Sequence, residues 1–413
     1  MRILEGRAAL ARVRKIAGRS SQLDAVEPAV RKIVADVRRG GDRALRKYAR
    51  RWDGLGARDS LRVDAAEIRR AWKSAPAELR SALQQAATNI RQFCEWQKPA
   101  EWRRTRDGIT LGQLVRPLES VGCYVPGGRH PLVSTLLMTV IPAQVAGVKN
   151  IRVVSPQPRP EVLAAAGMLG IEELYRVGGA QAIAALACGT ESIPRVDKIV
   201  GPGNSFVTAA KKLVSFDCAI DFLAGPTEVL ILSNKGKAEF IAADLVAQAE
   251  HDPQALPLFV TTSRKLAGAV SGCADRMAAG NSIARQSLKE QGAILLASSR
   301  RQAVDWANEI APEHITVESE DLLDVCNAGS VFVGDYSAQA AGDYASGPNH
   351  VLPTAGVARF RGGLSVLDFV KLITVQELSL TGLRQIAPTV EYLAEAEGLQ
   401  GHAESIRVRS VHA

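Results

Sequence analysis

The sequence predicts an α/β protein with two successive parallel sheets and helical segments at both ends of the chain. Two observations support this prediction. The chain has 413 residues, which is too long for one ordinary hydrophobic core. Between about residue 108 and residue 333, short β-branched runs alternate with Ala-rich helical stretches, and alternation at such short connections is typical of parallel βαβ units.

The first hundred residues have the spacing of amphipathic helices. Apolar residues recur at helical intervals from Val26 to Val37 and from Asp42 to Arg51, and Gly40-Gly41 separates the two stretches. The pattern continues from Ala65 to Cys94, where Pro76 marks a helix start. We therefore predict helices before the first sheet.

Two series of alternating elements follow. The first series is predicted as strand Ile151–Ser155, helix Pro160–Leu169, strand Leu174–Val177, helix Gly179–Ala187, strand Lys198–Gly201 and helix Asn204–Val214. The second is predicted as strand Val229–Leu232, helix Ala238–Glu250, strand Leu258–Thr261, helix Arg264–Ala279, strand Ala293–Leu296, helix Arg301–Ile310 and strands His314–Val317 and Ser330–Val333. After Gly362 helical spacing returns, through Val375–Leu383 and Pro388–Glu397, so we expect a helical appendage rather than a third sheet.

Composition favours a protein of the cytoplasm. The most apolar window, Pro131 to Val148, contains polar residues and Pro142, so a helix buried in protein is a better interpretation than a membrane span. The N-terminal residues have no uninterrupted apolar run of the kind that a signal peptide needs. The six cysteines contain no C-x-x-C pair, which argues against a disulfide framework and a thiolate zinc site.

The net charge of +8 could indicate a nucleic-acid partner. The basic excess is spread along the chain, aromatic residues make up 5% of it, and no basic stripe is interleaved with stacking side chains. A solvated helical face with a basic bias is the simpler interpretation, and it would also suit an anionic dinucleotide. A basic nucleic-acid binder without catalytic activity stays as an alternative from another class.

Several histidines lie beside carboxylate or amide side chains. Gln248 and His251 stand three apart at a predicted helix end, so their side chains can converge on one point. Asp343 and His350 share a Gly/Ser/Pro-rich loop, and His402 follows Glu397 across two glycines. Nitrogen and oxygen donors without thiolates suit a catalytic zinc, with manganese as a competitor. On spacing alone, Gln248 and His251 are more often a hydrogen-bonded surface pair than a ligand set, because Gln is a poor metal ligand.

Glu313 and His314 open a predicted strand, which places a carboxylate and an imidazole at the edge of a sheet, where α/β sites form. A histidine can accept a proton near neutral pH, and a carboxylate beside it can orient water. A capping glutamate and a half-buried histidine would explain the same pair without chemistry.

Glycine-rich turns lie at Gly122–Gly128, Val177–Gln181 and Gly201–Asn204, each after a strand or before a helix. Such turns let backbone amides approach a phosphate. None is a G-x-G-x-x-G, and no acidic residue follows about twenty positions later on a strand, so the usual dinucleotide fingerprint is absent. A bound NAD would therefore be held in a non-standard way.

Taken together, these segments resemble the histidinol dehydrogenase family. The resemblance covers about residues 30 to 407 and is carried by ten strings in family order: GCYVPGG, VGGAQAIAALA, VDKIVGPGN, AGPTEVLI, QAEHD, APEHI, AGSVF, GDYASGPNHVLPT, TVQELS and AEAEGLQGH. It implies the last step of histidine biosynthesis, in which L-histidinol is oxidised through bound L-histidinaldehyde to L-histidine and two NAD are reduced in succession.

The resemblance also implies roles for residues that match the family's motifs. His314 would be the base for the alcohol proton, and Glu313 would activate the water that hydrates the aldehyde. One zinc ion per subunit would hold and orient the substrate rather than carry out the hydride chemistry. The implied zinc ligands are Gln248, His251, Asp343 and His402. The implied substrate contacts are these four residues with Thr227, His314, His350 and Glu397. The implied NAD contacts are Tyr124, Gln181 and Asn204.

The family fold implied is two tandem incomplete Rossmann-like α/β domains with a helical N-terminal segment and a C-terminal helical arm exchanged in a homodimer. Residues 1–20 would form the N-terminal segment, 21–123 and 227–364 the first domain with the metal and the Glu-His pair, and 124–226 the NAD-binding domain. Residues 365–413 would form the arm, which brings Glu397 and His402 to the partner's active site.

The sequence departs from the family's pattern at three positions. Thr227 stands where many members have serine, which keeps the hydroxyl. Arg129 and His130 follow the double glycine at a position where small or aromatic residues are common, and their role is open. They leave one rival in play, a histidinol dehydrogenase-like paralogue that oxidises another small alcohol such as a sulfonated diol. Glu397 and His350, which would contact the histidinol end, favour histidinol.

Overall fold

The architecture comes from a computed structural model, which describes residues 1–19, 23–127 and 132–411. Among these residues the strands form three sheets. The largest is a six-stranded, fully parallel sheet with strand order β1-β11-β10-β9-β12-β13. Its strands are β1 Arg2–Glu5, β9 Glu228–Leu232, β10 Leu256–Thr261, β11 Ala293–Leu296, β12 His314–Val317 and β13 Ser330–Val333.

The second sheet is also parallel and has five strands in the order β6-β5-β4-β7-β8. Its strands are β4 Ser120–Tyr124, β5 Asn150–Val154, β6 Leu174–Tyr175, β7 Lys198–Val200 and β8 Ala219–Ile220. The central strand β4 is buried along its whole length. Side chains buried on both faces of a parallel sheet are what the continuous apolar runs in the sequence predict.

The third sheet is antiparallel, and the sequence analysis did not predict it. It consists of β2 Trp102–Arg106, β3 Ile109–Pro117 and β14 Val370–Leu378 in the order β14-β3-β2. The prediction of a helix over Val375–Leu383 is therefore wrong for its first half. The β-branched residues of Val370–Leu378 pair along their full length with β3, and this tertiary pairing overrides the weak helical spacing.

Helices cover both faces of the two parallel sheets. The six-stranded sheet has α1 and α12 on one face and α9, α10 and α11 on the other. The five-stranded sheet has α3 to α6 on one face and α2, α7 and α8 on the other. The helices are α1 Gly6–Ala17, α2 Glu27–Trp52, α3 Ala65–Ser74, α4 Ala77–Gln97, α5 Val133–Ala146, α6 Pro160–Met168, α7 Gly179–Cys188, α8 Ser205–Val214, α9 Ala238–Ala249, α10 Arg264–Met277, α11 Ser282–Glu290, α12 Arg300–Ile310, α13 Gln339–Tyr344, α14 Leu380–Ala396 and α15 Gln400–Val411, with 3₁₀ turns at Ser319–Asp324, Val357–Arg359 and Val366–Phe369.

This packing differs from the predicted division of the chain in two places. Helices within residues 23–97, expected in the first domain, bury their apolar faces against the five-stranded sheet, and β4 lies at the centre of that sheet. The segment 1–20, expected to be helical, begins with β1, which pairs with β11 in the six-stranded sheet. Tertiary packing, rather than a helix's own periodicity, decides which sheet an amphipathic helix covers, and the four-residue edge strand β1 carries too little local pattern to be predicted.

Local sequence explains the helix shapes. Gly41 has φ +49° and ψ −136°, so α2 is kinked at the Gly40-Gly41 pair that was predicted to separate two helices. The apolar window Pro131–Val148 contains α5, which is buried almost throughout, in agreement with the buried-helix interpretation. Among the described residues, no helix is both long enough and apolar enough to span a membrane.

Candidate active site

His314 is the first residue of β12 and is buried, with 3% of its surface exposed. Its Nδ1 lies 3.1 Å from the backbone carbonyl oxygen of Glu228. Since a carbonyl oxygen can only accept, Nδ1 carries the proton and donates it, and in the neutral ring Nε2 holds the lone pair. Nε2 has no hydrogen-bond partner among the described residues, and the nearest carboxylate oxygen, Asp343 Oδ1, is 3.6 Å away. The ring is therefore a preoriented base.

Glu313 is held just before β12 by two donors to one carboxylate oxygen. Its Oε2 accepts from the Thr227 hydroxyl at 2.6 Å and from the backbone N–H of Glu228 at 2.8 Å. The same Oε2 lies 3.6 Å from Nδ1 of His314. Thr227 precedes β9 and Glu313 precedes β12, so this cluster lies at the amino ends of two parallel strands. The prediction of a sheet edge is correct, but it is the edge opposite to the carboxyl ends, where open α/β sheets generally bind ligands.

Burial and charge shift the pKa values of this cluster. Burial raises the pKa of Glu313 above its ordinary value, against the charge of His314 and the bonds from Thr227 and Glu228. For His314 burial acts to lower the pKa, but the carboxylates of Glu313 and Asp343 outweigh it, so its pKa is raised. Buried titratable groups with shifted pKa values mark candidate acid–base sites.

A buried ion pair behind the cluster was not predicted from the sequence. The side chain of Glu228 accepts from the guanidinium of Arg19 and from the backbone N–H groups of Glu313 and Ala355. Arg19 also donates to the carbonyl oxygens of Ile16 and Ile310. Glu228 thus contacts Glu313 through both its backbone and its side chain. The only sequence signal was its position next to Thr227.

The remaining polar residues come from α9 and from the loop around α13. The Gln248 side-chain amide nitrogen donates to the Thr227 hydroxyl, which leaves the amide oxygen free for another partner. Asp343 lies on α13, and its pKa is lowered: burial acts to raise it, but the rings of His314, His350 and His251 together outweigh burial. Gln248 is thus joined to Glu313 through Thr227, and His251 and Asp343 are close enough to interact electrostatically.

His350 is a partly buried histidine in the same cluster. Burial lowers its pKa below the ordinary value. Its Nδ1 lies 2.7 Å from the backbone oxygen of Asp343, so Nδ1 donates, and Nε2 lies 3.4 Å from the hydroxyl of Thr135 on α5. His350 fixes the backbone that carries Asp343, and it links α13 to the helices of the five-stranded sheet.

A cavity of about 510 Å³ lies at the carboxyl ends of the strands of the five-stranded sheet. Clefts that bind small ligands have volumes on the order of 300–1,000 Å³, so this cavity is large enough for one. The three residues predicted to contact NAD, Tyr124, Gln181 and Asn204, all line it. Glu313 and His314 are not among the lining residues, so this cavity and the acid–base cluster are separate features.

The predicted NAD residues are themselves engaged within the protein. The Tyr124 hydroxyl accepts from the backbone N–H of Gly179 at 3.0 Å, and the Asn204 side chain caps the start of α8. Gln181 is buried, and its amide nitrogen donates to Asp53 at 2.9 Å. Asp53, which also lines the cavity, was not predicted, because it ends a helix far away in the sequence.

Comparison with known proteins identifies the family. A family model described as histidinol dehydrogenase matches residues 17–410. The histidinol dehydrogenase of Methanothermobacter thermautotrophicus is 50% identical over 402 residues, which cover 94% of this chain and 94% of that relative. The chain belongs to the histidinol dehydrogenase family.

Two further members of the histidinol dehydrogenase family support this assignment. The enzyme of that name from Geobacillus kaustophilus is 47% identical, and the match covers 92% of this chain and 93% of the relative. The crystal structure of histidinol dehydrogenase from Elizabethkingia anophelis superposes with a TM-score of 0.94 at 37% identity, over 99% of this chain and 98% of that chain. The resemblance predicted from ten short strings is confirmed, and so is a mixed α/β fold with parallel sheets.

The family resemblance assigns Glu397 and His402 to the site, but within this chain both lie away from the other site residues. Glu397 follows the end of α14 and His402 lies in the first turn of α15, and both are exposed. No hydrogen bond or ion pair between described residues joins either of them to Gln248, His251 or Asp343. The helices α14 and α15 pack on each other beside β14. Arg129 and His130, whose role was left open, fall outside the described residues.

The donor set within one chain is therefore incomplete for a metal. Among the described residues, no three His, Cys, Asp or Glu side chains are arranged to hold one. Gln248 adds an amide oxygen to His251 and Asp343, which gives two oxygen donors and one nitrogen donor. Three such donors fit a borderline metal such as zinc only when a further ligand completes the shell.

Proposed function

We propose that this chain oxidises L-histidinol through L-histidinaldehyde to L-histidine with two NAD, as the last step of histidine biosynthesis. One observation carries the proposal: in the buried Glu313–His314 pair, Nε2 of His314 has no hydrogen-bond partner among the described residues and lies 3.6 Å from Asp343, while Thr227 links Glu313 to Gln248. Membership of the histidinol dehydrogenase family supports it.

His314 acts as the base in both oxidations. The Glu228 carbonyl fixes the proton on Nδ1, so Nε2 is the atom that receives the hydroxyl proton of the alcohol and, later, of the hydrated aldehyde. NAD, when bound, supplies the hydride acceptor. Because the imidazole is buried and held by the backbone, it needs no reorientation between the two steps.

Glu313 acts between the oxidations. The raised pKa of its carboxyl group makes it a stronger base than an exposed glutamate, so it can take a proton from the water that adds to the aldehyde carbon. Thr227 and the Glu228 N–H hold Oε2, which leaves Oε1 to face the water. Adding water gives the diol that the second oxidation requires.

Zinc is the metal that we propose for the site, one ion per subunit. Gln248, His251 and Asp343 would hold it together with His402. When bound, the ion would orient the substrate and offset the negative charge of Asp343, which otherwise favours protonation of His314. Thr227 contributes by holding the Gln248 amide with its oxygen free.

We propose that the active protein is a homodimer with shared sites. Glu397 and His402 lie apart from the rest of the site within one chain, and a second copy would bring its own Glu397 and His402 to it. The three-stranded sheet supports this arrangement, because apolar residues on β3 and β14 are exposed to solvent in the single chain: Leu111, Leu372, Ile373 and Leu378. The C-terminal arm from residue 365 would then be exchanged between the subunits.

NAD is proposed to bind in the cavity lined by Tyr124, Gln181 and Asn204, within the domain of residues 124–226. The sequence predicts that NAD is held without the usual glycine-rich phosphate loop. The N–H groups of Gly178 and Gly179 support this prediction, because they already donate to Asp53 and Tyr124 and are not available to a phosphate. The six cysteines are all free, which supports a cytoplasmic location. We propose neither a nucleic-acid partner nor a membrane partner.

The paralogue that oxidises a sulfonated diol is not favoured, since the curated relatives at 44–50% identity are histidinol dehydrogenases. Steady-state rates test the choice. We expect NADH formation with L-histidinol and none with a dihydroxypropane sulfonate, and the opposite pattern would overturn the proposed substrate.

Growth rescue tests the function in the cell. A histidine auxotroph that lacks histidinol dehydrogenase is complemented with the wild-type chain and with His314→Asn, at matched protein levels. We expect growth without histidine for the wild type alone. No rescue by the wild type would overturn the reaction, and equal rescue by both would overturn the role of His314.

A further inference from the structure

The cavity contains a buried carboxylate to which the family resemblance gives no role. Asp53 directly follows α2, is 6% exposed and lines the cavity. Two donors reach it, the backbone N–H of Gly178 at 3.1 Å and the side-chain amide of Gln181 at 2.9 Å, and both bind Oδ2. Oδ1 has no hydrogen-bond partner among the described residues. One acceptor oxygen is therefore left for a ligand.

The charges around the cavity limit what that ligand group can be. Among the described lining residues, the charged side chains are Asp53 and Arg159. A diphosphate would be repelled by Asp53 and attracted by Arg159. The N–H groups of Gly178 and Gly179, which could have bound a phosphate, already donate to Asp53 and Tyr124. The group against Asp53 must therefore carry no negative charge and must donate hydrogen bonds, as a ribose diol does.

The neighbouring residue indicates which end of a dinucleotide lies here. Trp52 lines the same cavity with about half of its surface exposed, and its ring stacks on Tyr48 with 5.0 Å between centroids. An exposed indole beside a diol acceptor suits a purine base and its ribose. Glu313 and His314 do not line this cavity, so the non-reacting adenosine end fits better than the nicotinamide end.

We propose that Asp53 accepts hydrogen bonds from the adenosine ribose diol of NAD and excludes NADP, whose 2′-phosphate would lie against the carboxylate. This inference rests on the proposed use of NAD. Gln181 is then a positioning residue, since it is buried and acts on the ligand by holding Oδ2 of Asp53. A site that binds a hydroxyl through a buried charge rejects the phosphorylated analogue strongly, because like charges meet without solvent between them.

The test compares binding of NAD and NADP by calorimetry for the wild type and Asp53→Asn. The asparagine oxygen can still accept from Gly178 and Gln181, and its NH₂ group then faces the cavity and can donate to a phosphate. We expect the wild type to prefer NAD by about tenfold or more, and the variant to lose most of this preference. The thermal transition of both proteins is measured to verify folding.

Asp42→Asn is the matched control. Asp42 lies on α2, the helix that Asp53 follows, and likewise accepts from one backbone N–H and one side chain, both of Ser192, but it does not line the cavity. The Asp42→Asn variant should prefer NAD over NADP to the same extent as the wild type does. An unchanged preference in Asp53→Asn, or a wild type that binds both dinucleotides equally, would overturn the inference. NAD binding without NADH formation from L-histidinol would instead overturn the proposed function and leave the role of Asp53 standing.

Discussion

Arg19 and Glu228 form a two-point ion pair behind the strand that begins with His314. The guanidinium Nε of Arg19 donates to Glu228 Oε1 at 2.6 Å, and its second nitrogen donates to Oε2. Glu228 in turn holds Glu313 by its N–H and His314 by its carbonyl oxygen. An arginine from the N-terminal helical region therefore fixes the geometry of the acid–base pair.

Arg19→Gln should lower both stability and turnover. Removing one partner of a buried pair leaves Glu228 uncompensated, which costs about 3 kcal/mol, and the loosened strand start should lower kcat by about tenfold or more. Arg19→Lys, which keeps the charge but not the fork, should fall in between. Arg31→Gln, in an exposed pair with Glu27, is the control and should change stability by less than about 0.5 kcal/mol. A wild-type kcat in Arg19→Gln would contradict the positioning role.

Variants of His314 and Glu313 should affect the two oxidation steps differently. His314→Asn should slow NADH formation from both L-histidinol and L-histidinaldehyde by about 10²–10⁴-fold, because the proton acceptor is lost in each. Glu313→Gln keeps an acceptor for Thr227 and Glu228, so it should slow mainly the step that starts from the aldehyde. Product analysis of single turnovers, with each substrate in turn, checks this. Equal slowing of both steps by Glu313→Gln would contradict a role limited to water.

Shared sites predict complementation between inactive chains. Asp343→Ala and His402→Ala should each be inactive as homodimers, since each removes a proposed metal ligand from both sites. When the two chains are co-expressed, a mixed dimer has one site with both ligands intact, so about a quarter of wild-type activity should return. Zinc content should rise with activity. A mixture as inactive as its parents would mean that each chain supplies its own His402.

Asp244 should make stability depend on pH. Burial raises its pKa from 3.8 to about 6. The folded protein therefore holds this proton more tightly than the unfolded chain, and the resulting stability is present below pH 4 and lost as pH rises through about 6. Asp244→Asn should raise the free energy of unfolding by roughly 2 kcal/mol at about pH 8 and leave it unchanged near pH 4.

Thermal transitions at the two pH values measure this difference. Glu239→Gln, an exposed carboxylate on the same helix α9, is the control and should show little change at either pH. If Asp244→Asn were no more stable than the wild type at about pH 8, the burial of this carboxylate would have no consequence for folding.

Gly201 should be the glycine least tolerant of a side chain near the cavity that we propose for NAD. Its φ is +114°, and an added Cβ would lie 2.2 Å from the carbonyl oxygen of Tyr124. Gly201→Ala should therefore lower stability by about 2 kcal/mol or more and weaken NAD binding, because Tyr124 lines the cavity. Gly268→Ala in α10, where a Cβ meets no atom within 4 Å, should stabilise by about 0.5–1 kcal/mol. Equal melting temperatures and NAD affinities for the two variants would contradict this reasoning.

The sequence predicted the parallel sheets well because their strands are buried on both faces and give unbroken apolar runs, as in Val229–Leu232. It did not predict Val370–Leu378 as a strand, since that strand is largely exposed in the single chain and shows no one-sided pattern. The roles of Glu313 and His314 followed from the family resemblance, while their local spacing alone allowed a structural explanation.

Contacts between distant residues could not be predicted. Arg19 and Glu228 are 209 positions apart, and Asp53 and Gln181 are 128 apart. A single sequence contains no periodicity or motif that links such pairs, because their meeting is decided by how the sheets and helices pack. Gln181, predicted to contact NAD, lines the cavity, but its contact with Asp53 came only from the structure.

The pairing of β1 with β11 also affects the order in which the two parallel sheets can form during synthesis. Arg2 pairs with Ala293 and Glu5 with Leu296, so β1 finds its sheet partner only after synthesis has passed Leu296. The five-stranded sheet, complete by Ile220, can form earlier. Non-local parallel pairing of this kind slows folding and leaves an unpaired strand edge in the nascent chain. Chaperone dependence during translation is therefore expected of the six-stranded half.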